Sequence, residues 1–206
     1  MRIFISGQKY FGQEILRACL TQGHEIVGVC CPLDDRYIGR LATLNNIKII
    51  PAGSLNFDTM PAGCDLGITA HSFDYIGRLT RYKTKHGWIG YHPSLLPRHR
   101  GRSAIEWAIR MNDIITGGSV YWLNSGIDHG DIERQEWIWL DRNKSASDVW
   151  KEQLLPLGIK LIAEAVEDIS NGKINKTPQD GKFSTFEPGI TTKDIYKPDL
   201  LMIETI

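Results

Sequence analysis

The sequence is poor in cysteine and lacks the spacings that build metal sites or disulfide frameworks. Its 206 residues contain four cysteines. These are Cys19, Cys30, Cys31 and Cys64. Two of them are adjacent and none belongs to a C-x-x-C pair, so neither a zinc site nor a set of disulfide bridges is expected. Such cysteine usage is typical of a reducing compartment, and we expect a cytoplasmic location.

The sequence also lacks an excess of charge and any long hydrophobic run. Lys plus Arg and Asp plus Glu both number 24, so a general affinity for nucleic acid or for a membrane surface is not expected. No window approaches the roughly 20 apolar residues of a membrane span, and the first residues do not resemble a signal peptide. We therefore expect a soluble protein with local ligand sites, long enough for a single α/β domain.

Strand-like and helix-like segments alternate in the first third of the chain. Apolar or β-branched runs at residues 1–6, 24–31, 47–50 and 65–70 predict strands, and residues 13–22 predict a helix. A strand–helix–strand order predicts parallel strands with right-handed crossovers. The sequence therefore predicts an α/β fold, with a mainly parallel twisted sheet and helices on both faces.

A glycine turn is predicted between the first strand and that helix. Gly7 and Gly12 enclose four residues, which differs from the G-x-G-x-x-G fingerprint of dinucleotide-binding proteins. Gly7, Gln8 and Lys9 are candidate substrate-binding residues, because the free amides at a helix start suit an anion. A tight turn without any ligand is an equally good interpretation.

The most distinctive stretch is GWIGYHPSLLPRHRGR, residues 87–102. A strand-like run ends at His92, because Pro93 has a fixed φ and no amide donor. Pro97 and several arginines follow it. Ligands of open α/β sheets bind at the carboxyl ends of the strands, so His92 is a candidate catalytic residue. The arginines are expected mainly to face solvent, where they would also attract an anionic ligand.

A second polar turn, NSGIDHGD at residues 124–131, follows a strand predicted at residues 119–123. It brings two carboxylates, Asp128 and Asp131, to the same edge as His92. Residue type does not distinguish them, and aspartate beside glycine is also a common turn former. A histidine beside a carboxylate suits general acid–base chemistry at a carbonyl group.

Together these motifs resemble a known family. HPSLLP followed by basic residues and glycine, with an aspartate turn thirty-six residues after the histidine, is similar to the N10-formyltetrahydrofolate-dependent formyltransferases and hydrolases. The resemblance implies a Rossmann-like formyltransferase fold, 10-formyltetrahydrofolate as formyl donor and no metal. It also implies that His92 and Asp128, rather than Asp131, form the catalytic pair.

The resemblance further implies where the folate binds. The predicted pteridine loop, which bonds the ring through its backbone, comprises Phe73, Asp74, Tyr75 and Ile76. The turn predicted to complete the folate site comprises Asn124, Ser125, Gly126 and Ile127. The apolar members of the pteridine loop are alternatively ordinary core residues.

Gly90 departs from the pattern of the family's transferases, which carry an asparagine two residues before the histidine. Here the sequence resembles the N-terminal hydrolase domain of 10-formyltetrahydrofolate dehydrogenase, as do the segments GQKYFG, SAIEW and LLPLGIKLI. The expected reaction is formyl transfer to water or to an amine. Open alternatives are a transferase acting on a phosphorylated, sugar or aminoacyl-tRNA amine, and a non-catalytic folate-binding module. Nucleic-acid and membrane partners are not expected.

The resemblance covers residues 1–188, which are predicted to form a formyltransferase-like catalytic domain, and leaves residues 189–206 as a C-terminal tail. Within the domain, Ser103 and Ser145 are each predicted to cap a helix. The helix after Ser145 is predicted to kink at Pro156 and to end at Gly172. Residues 133–140 predict an edge strand.

Overall fold

A computed structural model describes residues 1–72, 74–141 and 143–190, and these residues form one seven-stranded sheet with helices. The strands are β1 (Arg2–Gly7), β2 (Glu25–Cys31), β3 (Ile49–Pro51), β4 (Cys64–Ala70), β5 (Thr84–His92), β6 (Ile115–Trp122) and β7 (Ile132–Trp139). The α-helices are α1 (Lys9–Thr21), α2 (Ile38–Leu44), α3 (Arg78–Tyr82), α4 (Ala104–Arg110), α5 (Ala146–Val149) and α6 (Leu155–Ser170). A π-helical segment, Trp150–Leu154, joins α5 to α6.

The strand order of the sheet is β3-β2-β1-β4-β5-β6-β7. The first five strands in this order are parallel to one another; they are β3, β2, β1, β4 and β5. Strands β6 and β7 are each antiparallel to the strand before them. The carboxyl ends of the parallel strands therefore meet at one edge of the sheet. The predicted mainly parallel α/β sheet is confirmed, and β7 is the edge strand that was expected near residues 133–140.

Apolar residues of the strands alternate between the two faces of the sheet. Ile3 and Ile5 of β1 belong to the larger core, which α1, α2, α4 and α6 complete. Phe4 belongs to a second core on the other face, with Trp88 and with Met60 from a segment outside the helices. This period of two is typical of a strand that is buried on both faces.

Helix α1 begins at Lys9, so its predicted start at residue 13 is wrong. Gly12 lies inside the helix, where an added Cβ would stand 3.3 Å from the backbone of Gly7 and 3.4 Å from Ile38. Gly12 therefore allows α1 to pack closely against the end of β1. The turn between β1 and α1 is therefore shorter than predicted. The prediction was wrong because close packing, and not a special backbone angle, requires a glycine at position 12.

The caps of the C-terminal helices largely follow the sequence. Ser145 accepts a hydrogen bond from the amide of Asp148, as predicted. Pro156 stands in the first turn of α6, directly after the π-helical segment, so the helical hydrogen-bond pattern changes where a kink was predicted. Gly172, with φ of 79°, follows the end of α6 and confirms the predicted stop.

Ser103 stands at the N-cap position of α4 without capping the helix through its side chain. Its hydroxyl instead accepts a hydrogen bond from the amide of Ile190 at 3.0 Å. The predicted side-chain cap is therefore wrong, because a distant segment supplies a competing donor. Contacts with the domain thus extend to Ile190, and the boundary at residue 188 stays a prediction. Residues 191–206 of the predicted tail lie outside the described residues.

Candidate active site

His92 is the last residue of β5 and is buried at the ligand-binding edge of the sheet. Its Nε2 lies 2.7 Å from the carbonyl oxygen of His99. A carbonyl oxygen only accepts, so Nε2 carries a hydrogen and donates it. The other ring nitrogen, Nδ1, is then the one left to meet a substrate or a carboxylate.

Asp128 brings its carboxylate to that nitrogen from the turn after β6. Asp128 Oδ2 and His92 Nδ1 are 3.6 Å apart, and both side chains are largely buried. This distance exceeds that of a good hydrogen bond. The oxygen of a water molecule placed beside the pair can lie about 2.8 Å from both atoms, so the geometry suits a bridging water.

Both oxygens of Asp128 are fixed by neighbouring donors. The Tyr121 hydroxyl donates to Oδ1 at 2.7 Å, and the Gly101 amide donates to Oδ2 at 2.8 Å. Burial and the adjacent Asp128 carboxylate raise the pKa of Tyr121 well above its ordinary value, so its hydroxyl stays protonated and keeps donating. Each carboxylate oxygen retains a further lone pair for a substrate.

Gln179 fixes the backbone of the Asp128 turn. Its Nε2 donates to the carbonyl oxygens of Asp128 and Gly130, at 2.9 and 2.7 Å. Its Oε1 accepts from Arg100 through Nε and Nη2, at 3.1 and 2.6 Å. Sequence reasoning missed Gln179 and Tyr121, because no motif marks them, and it expected Arg100 to face solvent. The structure makes Arg100 part of the support of the site.

The space beside Gly90 is occupied by a hydroxyl group. A Cβ on Gly90 would overlap Thr69 Oγ1 and would stand 3.1 Å from Leu123 Cδ1. The carboxamide of Asn124 is engaged within its own turn, where its Oδ1 accepts from the Gly126 amide at 2.8 Å. Thr69 is thus the polar side chain beside the position where the family's transferases carry asparagine.

The structure separates the residues of the predicted pteridine loop. Ile76 is buried in the second core, which agrees with the alternative interpretation for that residue, whereas Tyr75 is largely exposed. Asp74 accepts hydrogen bonds from Ser6 and Ser72, at 3.1 and 3.3 Å. Phe73 lies outside the described residues.

The other predicted folate residues lie in the turn before Asp128. All four members of the set are exposed. They are Asn124, Ser125, Gly126 and Ile127. An exposed turn that ends at the candidate carboxylate is open to a ligand, so its predicted role in binding folate stays a prediction.

A cavity of about 250 Å³ opens beside the end of β1. It is lined by Gly7, Gln8, Cys31, Pro32, Ala52, Gly53, Ser72 and Asp74. Two of the three predicted substrate-binding residues therefore face it. The amide of the third, Lys9, donates to Asp35 Oδ2 at 2.7 Å. The Asp74 carboxylate in the wall disfavours the phosphate ligand that the glycine turn was thought to suit.

The four cysteines are buried and free. Burial raises the pKa of Cys30 to about 12 and that of Cys31 to about 11, so both are protonated thiols at neutral pH. Within the described ranges no group of three or more histidine, cysteine or acidic side chains is placed to hold a metal ion. No helix in that part of the chain is long and apolar enough to cross a bilayer.

A family model described as formyl transferase matches residues 62–166, which include His92 and Asp128. The chain belongs to the formyl transferase family. It is 35% identical over 208 aligned residues to the mitochondrial 10-formyltetrahydrofolate dehydrogenase of Mus musculus, across 94% of this chain and 22% of that protein. The chain thus spans about a fifth of the length of such relatives, and it is homologous to their N-terminal formyltransferase region.

Solved structures of formyl transferases share the fold. The N-formyltransferase from Helicobacter canadensis, in complex with folinic acid and dTDP-3-aminofucose, superposes with a TM-score of 0.74 at 19% identity, covering 90% of this chain and 70% of that one. Glycinamide ribonucleotide transformylase 1 from Symbiobacterium toebii gives 0.70 at 18% identity, covering 84% and 88%. These matches confirm the predicted Rossmann-like formyltransferase fold.

Proposed function

We propose that this formyl transferase family member uses 10-formyltetrahydrofolate as donor and transfers the formyl group to water. The family membership and the homology to the N-terminal region of 10-formyltetrahydrofolate dehydrogenases support a formyl-folate donor. The observation that carries the proposal is the approach of His92 Nδ1 to Asp128 Oδ2 at the ligand-binding edge. The two side chains supply the proton donor and the carboxylate that attack on a formyl carbon needs.

The reaction follows from these two groups. Asp128 orients a water molecule and accepts its proton as the oxygen attacks the formyl carbon. Protonated His92 donates from Nδ1 to the oxygen on which negative charge develops. The bond from the formyl carbon to N10 then breaks as N10 receives the proton that Asp128 had accepted. His92 takes its proton back from the hydroxyl of the product, so formic acid, which ionises to formate, and tetrahydrofolate leave. The bond from Nε2 to the His99 carbonyl keeps the ring oriented throughout.

Gly90 and Thr69 favour water over an amine as acceptor. A carboxamide at position 90 would supply a second donor to the formyl oxygen, and the atom that the described residues place nearest to a Cβ there is the Thr69 hydroxyl oxygen. The absence of this asparagine is shared with the hydrolase domain that the sequence resembles, and this shared departure favours water as the acceptor. The interpretation as a hydrolase rests on this substitution.

The test is the time course of formate release from 10-formyltetrahydrofolate with no amine added. We expect wild-type protein to release formate, and His92→Ala and Asp128→Asn to lower the rate by about 100-fold to 1,000-fold, the scale of losing one preorganised donor. His86→Ala, which removes a histidine from the start of the same strand, is the control and should keep the rate. Formate release that does not depend on His92 and Asp128 contradicts the proposal.

A second candidate is transfer to an amine that binds in the cavity beside Gly7 and Gln8. The cavity opens at the same edge of the sheet as His92, and its Asp74 wall suits a cationic or hydroxyl-rich acceptor. Folate bound to wild-type protein without formate release, together with a formylated product once amino sugars are added, would establish this function in place of hydrolysis. Folate binding without turnover under either condition would identify a non-catalytic binding module.

A further inference from the structure

A second histidine, His99, is buried behind the candidate pair. Only 2% of its surface is exposed, and its φ of 56° lies in the left-handed region. Its Nε2 lies 2.8 Å from Asp113 Oδ2, and its Nδ1 lies 3.2 Å from Glu187 Oε1. The Asp113 carboxylate accepts, so Nε2 carries a hydrogen and donates it, whereas Nδ1 lies against Glu187 without a hydrogen bond.

The carboxylates of Asp113 and Glu187 differ in the partners that they have besides His99. Arg98 also binds Asp113, through Nη2 at 2.7 Å and Nε at 3.0 Å. Burial opposes ionisation of Asp113, but the hydrogen bonds from Arg98 and His99 outweigh it and lower its pKa. Glu187 is buried, and among the described residues neither of its oxygens has a hydrogen-bond partner. The His99 ring is therefore the polar group that the described residues place beside the buried Glu187 carboxyl.

The backbone around His99 contacts both members of the candidate pair. The His99 carbonyl accepts from His92 Nε2 at 2.7 Å, and the Gly101 amide donates to Asp128 Oδ2 at 2.8 Å. His99 and Gly101 lie two positions apart in the loop of residues 97–101. They thus orient two side chains that are thirty-six residues apart in the sequence. Gly101 has φ of 96°, which allows the loop to turn its amide toward Asp128.

This loop is held from its other side by the segment that carries Glu187. Thr185 accepts from the His99 amide through its hydroxyl at 2.8 Å and from the Arg100 amide through its carbonyl at 3.0 Å. The Thr185 amide donates to the Pro97 carbonyl at 3.1 Å. The backbone bonds fix the loop along its length, and the ring of His99 joins it at one point to both Asp113 and Glu187.

We propose that His99 is a positioning residue for formyl transfer: its ring, held between Asp113 and Glu187, fixes residues 97–101 so that they orient His92 and Asp128. This inference rests on the proposed function, because it assigns His92 and Asp128 to the chemistry. The ring nitrogens of His99 face Asp113 and Glu187. Its effect reaches the reaction through the carbonyl of His99 and the amide of Gly101.

The kinetic test compares His99→Gln and Glu187→Gln with wild type in the formate-release assay. We expect both variants to lower kcat, His99→Gln by about 10-fold to 100-fold, with KM changed less than about twofold, because the ligand still binds while the reacting groups are misplaced. Glu106→Gln, which removes an exposed charge from α4, is the control and should leave both constants unchanged. An unchanged kcat in both variants, or a rise in KM alone, overturns the proposal.

A spectroscopic test does not depend on activity. In protein labelled with ¹⁵N at histidine rings and amides, wild type should show a slowly exchanging His92 Nε2 proton and a protected Gly101 amide. Both should exchange faster in Glu187→Gln, which keeps the His99 ring, and in folded His99→Gln. Unchanged exchange in the variants overturns the positioning role even if kcat falls. If wild type shows the two protected protons but no turnover, the proposed function is contradicted. The exchange rates in the two variants then decide by themselves whether His99 is a positioning residue.

Discussion

At the scale of single residues, the candidate site depends on one strained aspartate. Asp128 has φ of 49°, a left-handed conformation that is uncommon for a residue other than glycine. Such strain persists where the surroundings determine the conformation, and it is frequent at functional sites. Tyr121 and Gly101 bind the Asp128 carboxylate and Gln179 binds its carbonyl oxygen, so three contacts from separate parts of the chain hold this conformation.

Gly90→Ala tests the close approach of Thr69. Replacing glycine in a strand ordinarily stabilises a protein by about 0.5–1 kcal/mol. Here the new methyl group overlaps Thr69 Oγ1, and such overpacking costs about 1–3 kcal/mol, so we expect net destabilisation in urea titrations. Adding Thr69→Ala should recover most of the loss. If Gly90→Ala alone is as stable as wild type, the Thr69 side chain moves aside freely.

At the scale of elements, α6 is attached to the strand that carries His92. The Tyr91 hydroxyl donates to the Leu154 carbonyl at 2.8 Å, at the end of the π-helical segment. The Tyr91 ring packs against Gly158, where an added Cβ would stand 2.6 Å from its Cε1. The absence of a side chain at Gly158 thus sets how closely α6 approaches β5.

Gly158→Ala is expected to destabilise the protein, although alanine is the better helix former. The propensity gain is about 0.8–1.0 kcal/mol, and the contact with a packed ring costs about 1–3 kcal/mol. We expect a net loss in the free energy of unfolding, measured in urea, and a lower rate of formate release because the adjacent His92 shifts. Gly181→Ala, with no heavy atom within 4 Å of the added Cβ, is the matched control. Equal stabilities of the Gly158→Ala and Gly181→Ala variants would show that the Tyr91 ring does not obstruct a methyl group at position 158.

At the scale of the whole molecule, the site is assembled from segments that are remote in sequence. The loop at residues 97–101 pairs with residues near 185, and Arg100 reaches Gln179. The hydrogen-bonded cluster of Arg98, His99 and Asp113 lies at this junction. Loss of the cluster should therefore lower the stability of the whole fold and not of one loop alone.

Asp113→Asn tests that expectation through its pH dependence. The folded state lowers the pKa of Asp113, so it binds fewer protons than the unfolded state at acid pH, and the stability from this carboxylate is lost as pH falls. The difference in unfolding free energy between wild type and Asp113→Asn should be full at about pH 6 and should shrink toward about pH 3. A difference that stays constant with pH would mean that the carboxylate charge contributes nothing.

Much of the architecture could be predicted, because it depends on near neighbours in the chain. The alternation of strand-like and helix-like segments predicted the parallel strands, and Pro93 predicted the end of β5 at His92. The start of α1 was missed, because Gly12 is selected by contact with Gly7 and Ile38 and not by its own backbone. The cap at Ser103 was missed for a similar reason, since Ile190 competes for its hydroxyl.

The sequence by itself determined the α/β order, the histidine at a strand end and the aspartate turn, since each follows from the chemistry of consecutive residues. Only the tertiary structure decided that Tyr121 and Gln179 hold Asp128, that Thr69 lies beside Gly90, and that His99 is buried between two carboxylates. These contacts join positions far apart in the chain. No local pattern specifies them, because a side chain finds such partners only when the packed sheet brings distant segments together.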